Sequence, residues 1–172
     1  MDPDHEREFL DFVEARTAVL FRAAYGLSGQ QQAAEDLLQT ALERLATRWR
    51  RIQDPEAYAR RIIYHEYLSW WRRWRRREFS VADVADRPGV DDPARTVELR
   101  SSLRAALARL GPRQRAVLVL RYLEDRSEQE TADILGCSVK TVSSQATRAL
   151  AKLRATDAAL AETGSELNGA AS

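Results

Sequence analysis

Apolar side chains recur at three- and four-residue spacing along nearly the whole chain, which is the pattern of amphipathic α-helices. The spacing holds over residues 9–27, 31–48 and 55–77. It returns at Val97, after a stretch (79–95) that holds two prolines, one glycine and several acidic residues without any period. The pattern predicts an all-α protein of two helical domains joined by a flexible acidic linker.

The same pattern sets the expected domain boundaries. Residues 1–79 form the first domain, 80–96 the linker and 97–154 the second domain, and the length of 172 residues suits two small domains. Residues 155–172 hold too few large apolar side chains to pack, so we expect a disordered tail there.

Composition excludes several classes of protein. No run approaches the roughly 20 apolar residues of a membrane span, and the acidic start MDPDHEREF is unlike a secretory signal. We therefore expect a soluble, cytoplasmic protein with no membrane insertion. Cys137 is the only cysteine and His5 and His65 the only histidines, which excludes a disulfide framework and a cysteine-cluster zinc site. We expect neither metal nor cofactor.

The net charge of +1 hides two basic segments separated by an acidic one. Residues 48–77 hold 10 basic and 3 acidic residues, residues 100–154 hold 11 and 5, and residues 78–99 between them hold 2 and 6. Nearly all the basic residues are arginine, which pairs with phosphates bidentately and stacks on bases. The pattern indicates two separate contacts with a polyanion; two solvated helix faces are the alternative.

The stretch from Ser127 to Arg154 has the pattern of a helix-turn-helix. Ser127 and Glu130 form a capping box, Gly136 permits the positive φ of a turn, and Ala132 is small enough for two helices to cross closely. The second helix pairs an apolar stripe with a polar face that suits base edges and phosphates. The predicted DNA-binding residues are Ser138, Lys140, Thr141, Ser144, Gln145 and Arg148. An ordinary helical hairpin with a polar face is the alternative.

The third helix interleaves aromatic residues and arginines, in the run YARRIIYHEYLSWWRRWRRR (58–77). Unpaired bases stack on aromatic rings while arginines follow the phosphates, so the run favours a single-stranded nucleic acid. We expect about half of its aromatic side chains to lie in the core, among them Tyr58 and one or two tryptophans. The predicted nucleic-acid contacts are Arg60, Arg61, Tyr64, Tyr67, Trp70, Trp71, Arg72, Arg73 and Trp74.

Two other interpretations compete with a protein that contacts nucleic acid through both of its basic segments. A membrane-surface or scaffold protein built around WWRRWRRR does not explain the helix-turn-helix some fifty residues later. A stand-alone helix-turn-helix regulator has no need for the Trp/Arg helix or for the acidic polar face around Asp36 and Gln39.

Three segments together resemble the extracytoplasmic-function sigma factors of bacterial RNA polymerase, in particular the sigma-E-like actinobacterial subgroup. They are AEDLLQTALERLATRWRRI (34–52), DPEAYARRIIYHEYLSWWRRWRRRE (54–78) and LGPRQRAVLVLRYLEDRSEQETADILGCSVKTVSSQATRALAKLR (110–154). The resemblance implies sigma region 2 over residues 9–78 and region 4 over residues 100–154. It also implies a protein that directs core polymerase to promoters and catalyses nothing itself.

The resemblance further implies roles for individual residues. The Asp-x-x-Gln pattern of the family, which docks on the clamp of the largest polymerase subunit, falls on Asp36 and Gln39, flanked by Leu38 and Leu42. The third helix would bind and open the −10 element, and region 4 would read the −35 element. The expected partners are core RNA polymerase, through its clamp and flap, and promoter DNA; the resemblance admits an anti-sigma factor as a further partner.

Overall fold

The computed structural model describes residues 2–78 and 104–169, with side-chain environments for 2–75 and 104–158. Within these ranges the chain forms helices and short connections, and it contains no strand. The predicted linker, residues 80–96, lies outside the described residues. The expectation of an all-α fold is confirmed.

The N-terminal half, residues 2–78, consists of three long helices. They are α1 (Pro3–Ser28), α2 (Gln31–Arg48) and α3 (Pro55–Glu78), with a 3-10 turn at Trp49–Arg51. Helix α1 begins six residues before the periodic pattern does, because Pro3 suits a first helical turn and Asp4 favours the helix dipole there. At the start of α3, the Ala57 amide donates to the Asp54 carboxylate at 2.9 Å, so Asp54 caps the helix.

The C-terminal half, residues 104–169, contains the helix-turn-helix. After a helical stretch at 104–108 come α4 (Pro112–Leu118), a π-helical turn (Val119–Leu123), α5 (Glu128–Leu135) and α6 (Val139–Gly169). The capping box forms as predicted: the Glu130 amide donates to the Ser127 hydroxyl at 3.1 Å, and the Ser127 amide donates to the Glu130 carboxylate at 2.8 Å. Gly136 turns the chain between α5 and α6 at φ 66°.

The two halves share one hydrophobic core. Helices α1, α2 and α3 contribute most of it, and Ala116 of α4 and Val119 of the π-helical turn join the same cluster. Leu135 at the end of α5 also packs against it. The fully buried members from the N-terminal half include Leu20, Ala24, Ala34, Ala41, Ala59, Ile63 and Tyr67. A second, smaller cluster lies inside the helix-turn-helix, where Val117, Ala132, Val142 and Ala146 meet.

The disordered tail predicted from residue 155 differs from the structure, in which α6 continues through Gly169. The scarcity of large apolar residues argues only against packing, whereas alanine, frequent here, has the highest intrinsic helix propensity. Extending an existing helix also avoids the cost of nucleating a new one.

The capping box supplies a first test of the fold. Ser127→Ala should lower the free energy of unfolding by about 1 kcal/mol, because it leaves the first amides of α5 without their cap. Hydrogen bonds from the Ser127 backbone and side chain lower the pKa of Glu130, so this stabilisation is present at neutral pH and is lost as pH falls through that lowered pKa. Urea denaturation at neutral and at acidic pH measures both the loss of the cap and its pH dependence. Ser143→Ala, on the exposed side of α6, should not destabilise the protein.

Candidate nucleic-acid interface

The predicted recognition residues lie on the outer side of α6. Val142, Ala146 and Ala149 turn inward against α4 and α5. On the other side Lys140, Thr141, Ser144 and Arg148 are exposed, Ser138 is exposed just before the helix, and Gln145 is half-buried. The Ser138 hydroxyl accepts a hydrogen bond from the Thr141 amide at 3.1 Å, so it also caps the helix. A polar face presented in this way on the second helix of a helix-turn-helix suits the major groove of duplex DNA.

The aromatic side chains of α3 pass from the interior to the surface along the helix. Tyr67 is fully buried, Trp70 is half-buried and Trp74 is 39% exposed. Their rings stack in sequence, with centroids 6.1 Å apart in each pair. Beside this series the Arg75 guanidinium lies 5.1 Å from the centre of the Trp71 ring. Within this stacked series, the aromatic surface open to a ligand therefore lies at the C-terminal end of α3.

Three predicted nucleic-acid contacts lie in the interior instead: Arg60, Tyr64 and Tyr67 are only 3%, 4% and 1% exposed. Burial raises the pKa of Tyr64, and it raises the pKa of Tyr67 to about 12. As the structure stands, these side chains cannot touch DNA. Helical periodicity places them correctly on one side of α3, but it cannot show that the C-terminal half packs there.

The second helix presents the predicted polymerase-binding pair to solvent. Asp36 and Gln39 are exposed, and each makes a hydrogen bond to a residue one helical turn away. The Gln32 amide donates to the Asp36 carboxylate at 3.1 Å, and the Gln39 amide donates to the Glu43 carboxylate at 2.9 Å. Leu38 and Leu42, the other two predicted contacts, point the other way. Leu38 is buried and Leu42 packs against the same core, so neither offers a docking surface.

A basic cavity that the sequence patterns did not reveal lies beside the start of α3. Its volume is about 580 Å³, and it is lined by Arg48, Arg51, Ile52, Gln53, Asp54, Ala57, Tyr58 and Arg61. The Arg48 guanidinium donates to the Tyr58 hydroxyl at 3.2 Å, which holds the aromatic ring at the cavity wall. Of these residues only Arg61 was predicted to contact nucleic acid. The available signal was the cluster of three arginines at 48–51, just before the Asp54 cap.

The described part of the chain holds no cluster of metal-ligating side chains. Within residues 2–78 and 104–169, no three or more His, Cys, Asp or Glu side chains are placed to hold a metal ion. None of the helices described is long and apolar enough to cross a membrane.

Known families match both halves of the chain. The family model for sigma-70 region 2 matches residues 12–78, and the model for sigma-70 region 4 matches residues 100–153. The chain is 40% identical over 150 residues to the RNA polymerase sigma-E factor of Streptomyces coelicolor, which covers 86% of this chain and 84% of that protein. It is 41% identical to the sigma-E factor of Streptomyces avermitilis, over 86% and 83% of the two chains.

Solved structures show the same fold. The sigma factor RpoE from Bartonella quintana, solved in complex with the anti-sigma factor NepR, superposes with a TM-score of 0.71 at 24% identity, over 87% of this chain and 96% of that one. CnrH, solved in complex with the cytosolic domain of CnrY, gives a TM-score of 0.66 at 24% identity, over 90% of both chains. The protein described here thus belongs to the extracytoplasmic-function type of sigma factors of bacterial RNA polymerase, which direct promoter-specific transcription initiation.

Proposed function

We propose that the two halves divide the recognition of a promoter between duplex and unpaired DNA. The outer face of α6 reads the −35 element in the major groove, and the N-terminal half, residues 1–79, holds and opens the −10 element. The observation that carries this division is the arrangement of α6, whose polar and basic side chains are exposed opposite its buried Val142, Ala146 and Ala149. Such a helix offers donors and acceptors to base edges while it remains packed in its own domain.

Two features of the N-terminal half support a role with unpaired bases. The cavity beside Tyr58 is large enough for a nucleobase and combines an aromatic ring with three arginines and the polar ends of Gln53 and Asp54. The exposed Trp74 ring, with Arg73 beside it in the sequence and exposed, adds a stacking surface farther along α3. Both combine stacking with phosphate attraction, which suits single-stranded DNA and tolerates different base sequences.

The remaining parts of the proposal concern partners. Asp36 and Gln39 dock on core polymerase, because they lie on the exposed polar face of α2, opposite the side that packs into the core. RpoE and CnrH are seen in complexes with NepR and with part of CnrY, which supports control of this chain by an anti-sigma factor as well. The protein works in the cytoplasm with polymerase and carries out no catalysis of its own.

Run-off transcription tests the proposal as a whole. Purified core polymerase should start at defined promoters on genomic fragments only when the full chain is added. Initiation that is independent of the added chain, or that shows no common −35 and −10 sequences upstream of the mapped start sites, would contradict it.

A single residue tests the reading of the −35 element. Arg148→Ala should cost about 1–3 kcal/mol of DNA affinity and relax the preference at one base pair, because a guanidinium on the outer face of α6 can pair with a base edge. Binding to a panel of −35 variants measures the change. Arg154→Ala removes the same side chain from farther along the helix, outside the predicted recognition residues, and should leave the preference intact. Equal loss across all variants would show that Arg148 contacts only phosphate.

A further inference from the structure

The first turns of α1 extend well beyond what the helix buries. Helix α1 begins at Pro3, yet none of its residues before Leu20 is fully buried. Most helical stability in proteins comes from packing of an apolar face, so a long segment with little burial needs other contacts to hold it. The large side chains available for such contacts on the inner side of this segment are Phe9 and Phe12, and both are half-buried.

Phe9 and Phe12 pack on the ring of Trp49, which lies in the 3-10 turn after α2; the three residues are here named the aromatic brace. The Phe9 and Trp49 ring centroids lie 5.4 Å apart, with the ring planes at 78°. The Phe12 and Trp49 centroids also lie 5.4 Å apart, at 56°. Edge-to-face and tilted arrangements are the favourable ones for aromatic pairs. The brace therefore joins the start of α1 to a turn some forty residues later in the chain.

The turn that carries Trp49 forms part of the basic cavity beside the start of α3. One side of that cavity, here named the turn wall, comes from the chain around the 3-10 turn: Arg48, Arg51, Ile52 and Gln53. The other side, here named the helix wall, comes from the cap and first turns of α3: Asp54, Ala57, Tyr58 and Arg61. Trp49 lies within the turn wall in sequence but does not line the cavity, because its ring packs on α1 instead.

The turn wall has weak support of its own. The Ile52 amide donates to the Trp49 carbonyl at 3.3 Å, which is long for a backbone hydrogen bond. Short 3-10 turns also have poorer hydrogen-bond geometry than α-helices. Arg48, Arg50 and Arg51 are all exposed, and their like charges repel one another. The position of this wall therefore depends on how the Trp49 side chain is anchored.

The same face of α1 also reaches the helix wall. Phe9, Phe12 and Arg16 follow one another at three- and four-residue spacing, so they share one side of the helix. The Arg16 Nε lies 3.2 Å from the carboxylate of Glu56, which belongs to the first turn of α3. An exposed ion pair of this kind adds little stability. Its importance is geometric, because one face of α1 now contacts the chain on both sides of the cavity.

A contact across the cavity depends on the separation of its walls. The Arg48 guanidinium of the turn wall donates to the Tyr58 hydroxyl of the helix wall at 3.2 Å. A nucleotide whose base stacks on an aromatic ring while its phosphate pairs with arginines needs both groups at the right separation. A shift of about 1 Å in a supporting group is enough to weaken such a site.

We propose that Phe9 and Phe12 are positioning residues, which act through Trp49 to hold the turn wall at the separation that unpaired DNA requires and which touch no nucleotide themselves. This inference rests on the proposed function, since it takes the cavity as a site for unpaired bases of the −10 element. It gives the exposed first turns of α1 a role in opening the promoter, although they lie outside every predicted DNA contact.

The test uses holoenzyme assembled from core polymerase and the full chain. Its probe is a fluorescein-labelled single-stranded oligonucleotide with the non-template −10 sequence of a promoter mapped by run-off transcription. Phe9→Leu keeps an apolar side chain and a good helix former, and it should bind the probe on the order of tenfold more weakly. Trp49→Leu should lose at least as much affinity. Trp49→Phe keeps a ring between α1 and the turn, and should restore most of it.

Phe21→Leu is the matched control. It removes an aromatic ring from the same helix, where Phe21 packs against the main core and stacks on Tyr25 with centroids 6.2 Å apart. It should lower the urea midpoint at least as far as Phe9→Leu does, and leave the affinity for the probe unchanged. Equal weakening in Phe21→Leu and Phe9→Leu would show that general loss of stability causes the effect, and would overturn the positioning role.

A double-mutant cycle tests whether the brace acts through the turn wall. Arg51→Ala removes a guanidinium from that wall, so Phe9→Leu should cost less affinity in the Arg51→Ala background than in the wild type. Losses that simply multiply would overturn the proposal. So would weak binding by Trp49→Leu with unchanged binding by Phe9→Leu, because Trp49 would then contact DNA itself. Both results leave the proposed function intact, whereas unchanged binding by Arg51→Ala would count against the cavity as a site for unpaired bases.

Discussion

The Asp36→Ala, Gln39→Ala double variant should bind core polymerase on the order of 30- to 700-fold more weakly than the wild type, while it unfolds at nearly the same urea concentration. Two exposed polar side chains at the centre of an interface commonly contribute about 2–4 kcal/mol to binding. In the free chain they contribute little, because each makes only one hydrogen bond to a neighbour on the same exposed helix face. Losing two such bonds costs about 0.4–1 kcal/mol of folding free energy.

A matched pair on the same helix separates docking from helix stability. Gln31→Ala with Glu35→Ala also removes one amide and one carboxylate from α2, together with one (i, i+4) hydrogen bond of 3.0 Å where the first variant loses two. It should therefore lower stability to a similar or smaller extent and leave polymerase binding unchanged. Affinity of the Asp36/Gln39 variant for core polymerase within about twofold of the wild type would show that α2 docks elsewhere or not at all.

Local signals in the sequence were sufficient to define most of the secondary structure. The bounds of α2, the cap at Asp54, the Ser127 capping box and the turn at Gly136 all depend on residues within one helical turn of each other. The buried stripe of α6 also follows from spacing alone. Such features depend on backbone hydrogen bonds and on nearby side chains, so a pattern of a few residues can predict them.

The differences between the expected and the observed surface concern contacts between distant parts of the chain. Arg60, Tyr64 and Tyr67 look like a nucleic-acid surface in the sequence, and only the packing of residues 113–137 against α3 places them in the interior. Leu38 was assigned to an interface from its position beside Asp36, whereas its direction on α2 places it in the core. The basic cavity was missed for the same reason, because its wall joins the 3-10 turn to the side of α3.

Trp74→Ala should impair transcription from a duplex promoter strongly, and from a template already melted across the −10 element only weakly. Stacking of a base on an aromatic ring contributes about 1–3 kcal/mol, and that gain is available only after the base leaves the duplex. On a duplex the gain offsets the cost of unstacking, so its loss lowers the open fraction directly. On a melted template at saturating protein the open state exists already, and the same loss changes its occupancy little.

Tyr122→Ala is a suitable control for this comparison, because Tyr122 is the most exposed of the aromatic side chains described and lies in the C-terminal half, away from the end of α3. It should reduce transcription from neither template. Trp74 is exposed and stacks on Trp70, so its replacement should leave the folded core intact. Equal impairment on duplex and melted templates, accompanied by a lower urea midpoint, would mean that the Trp70–Trp74 pair stabilises α3. The opening of the −10 element would then depend on the cavity beside Tyr58, which also combines an aromatic ring with arginines.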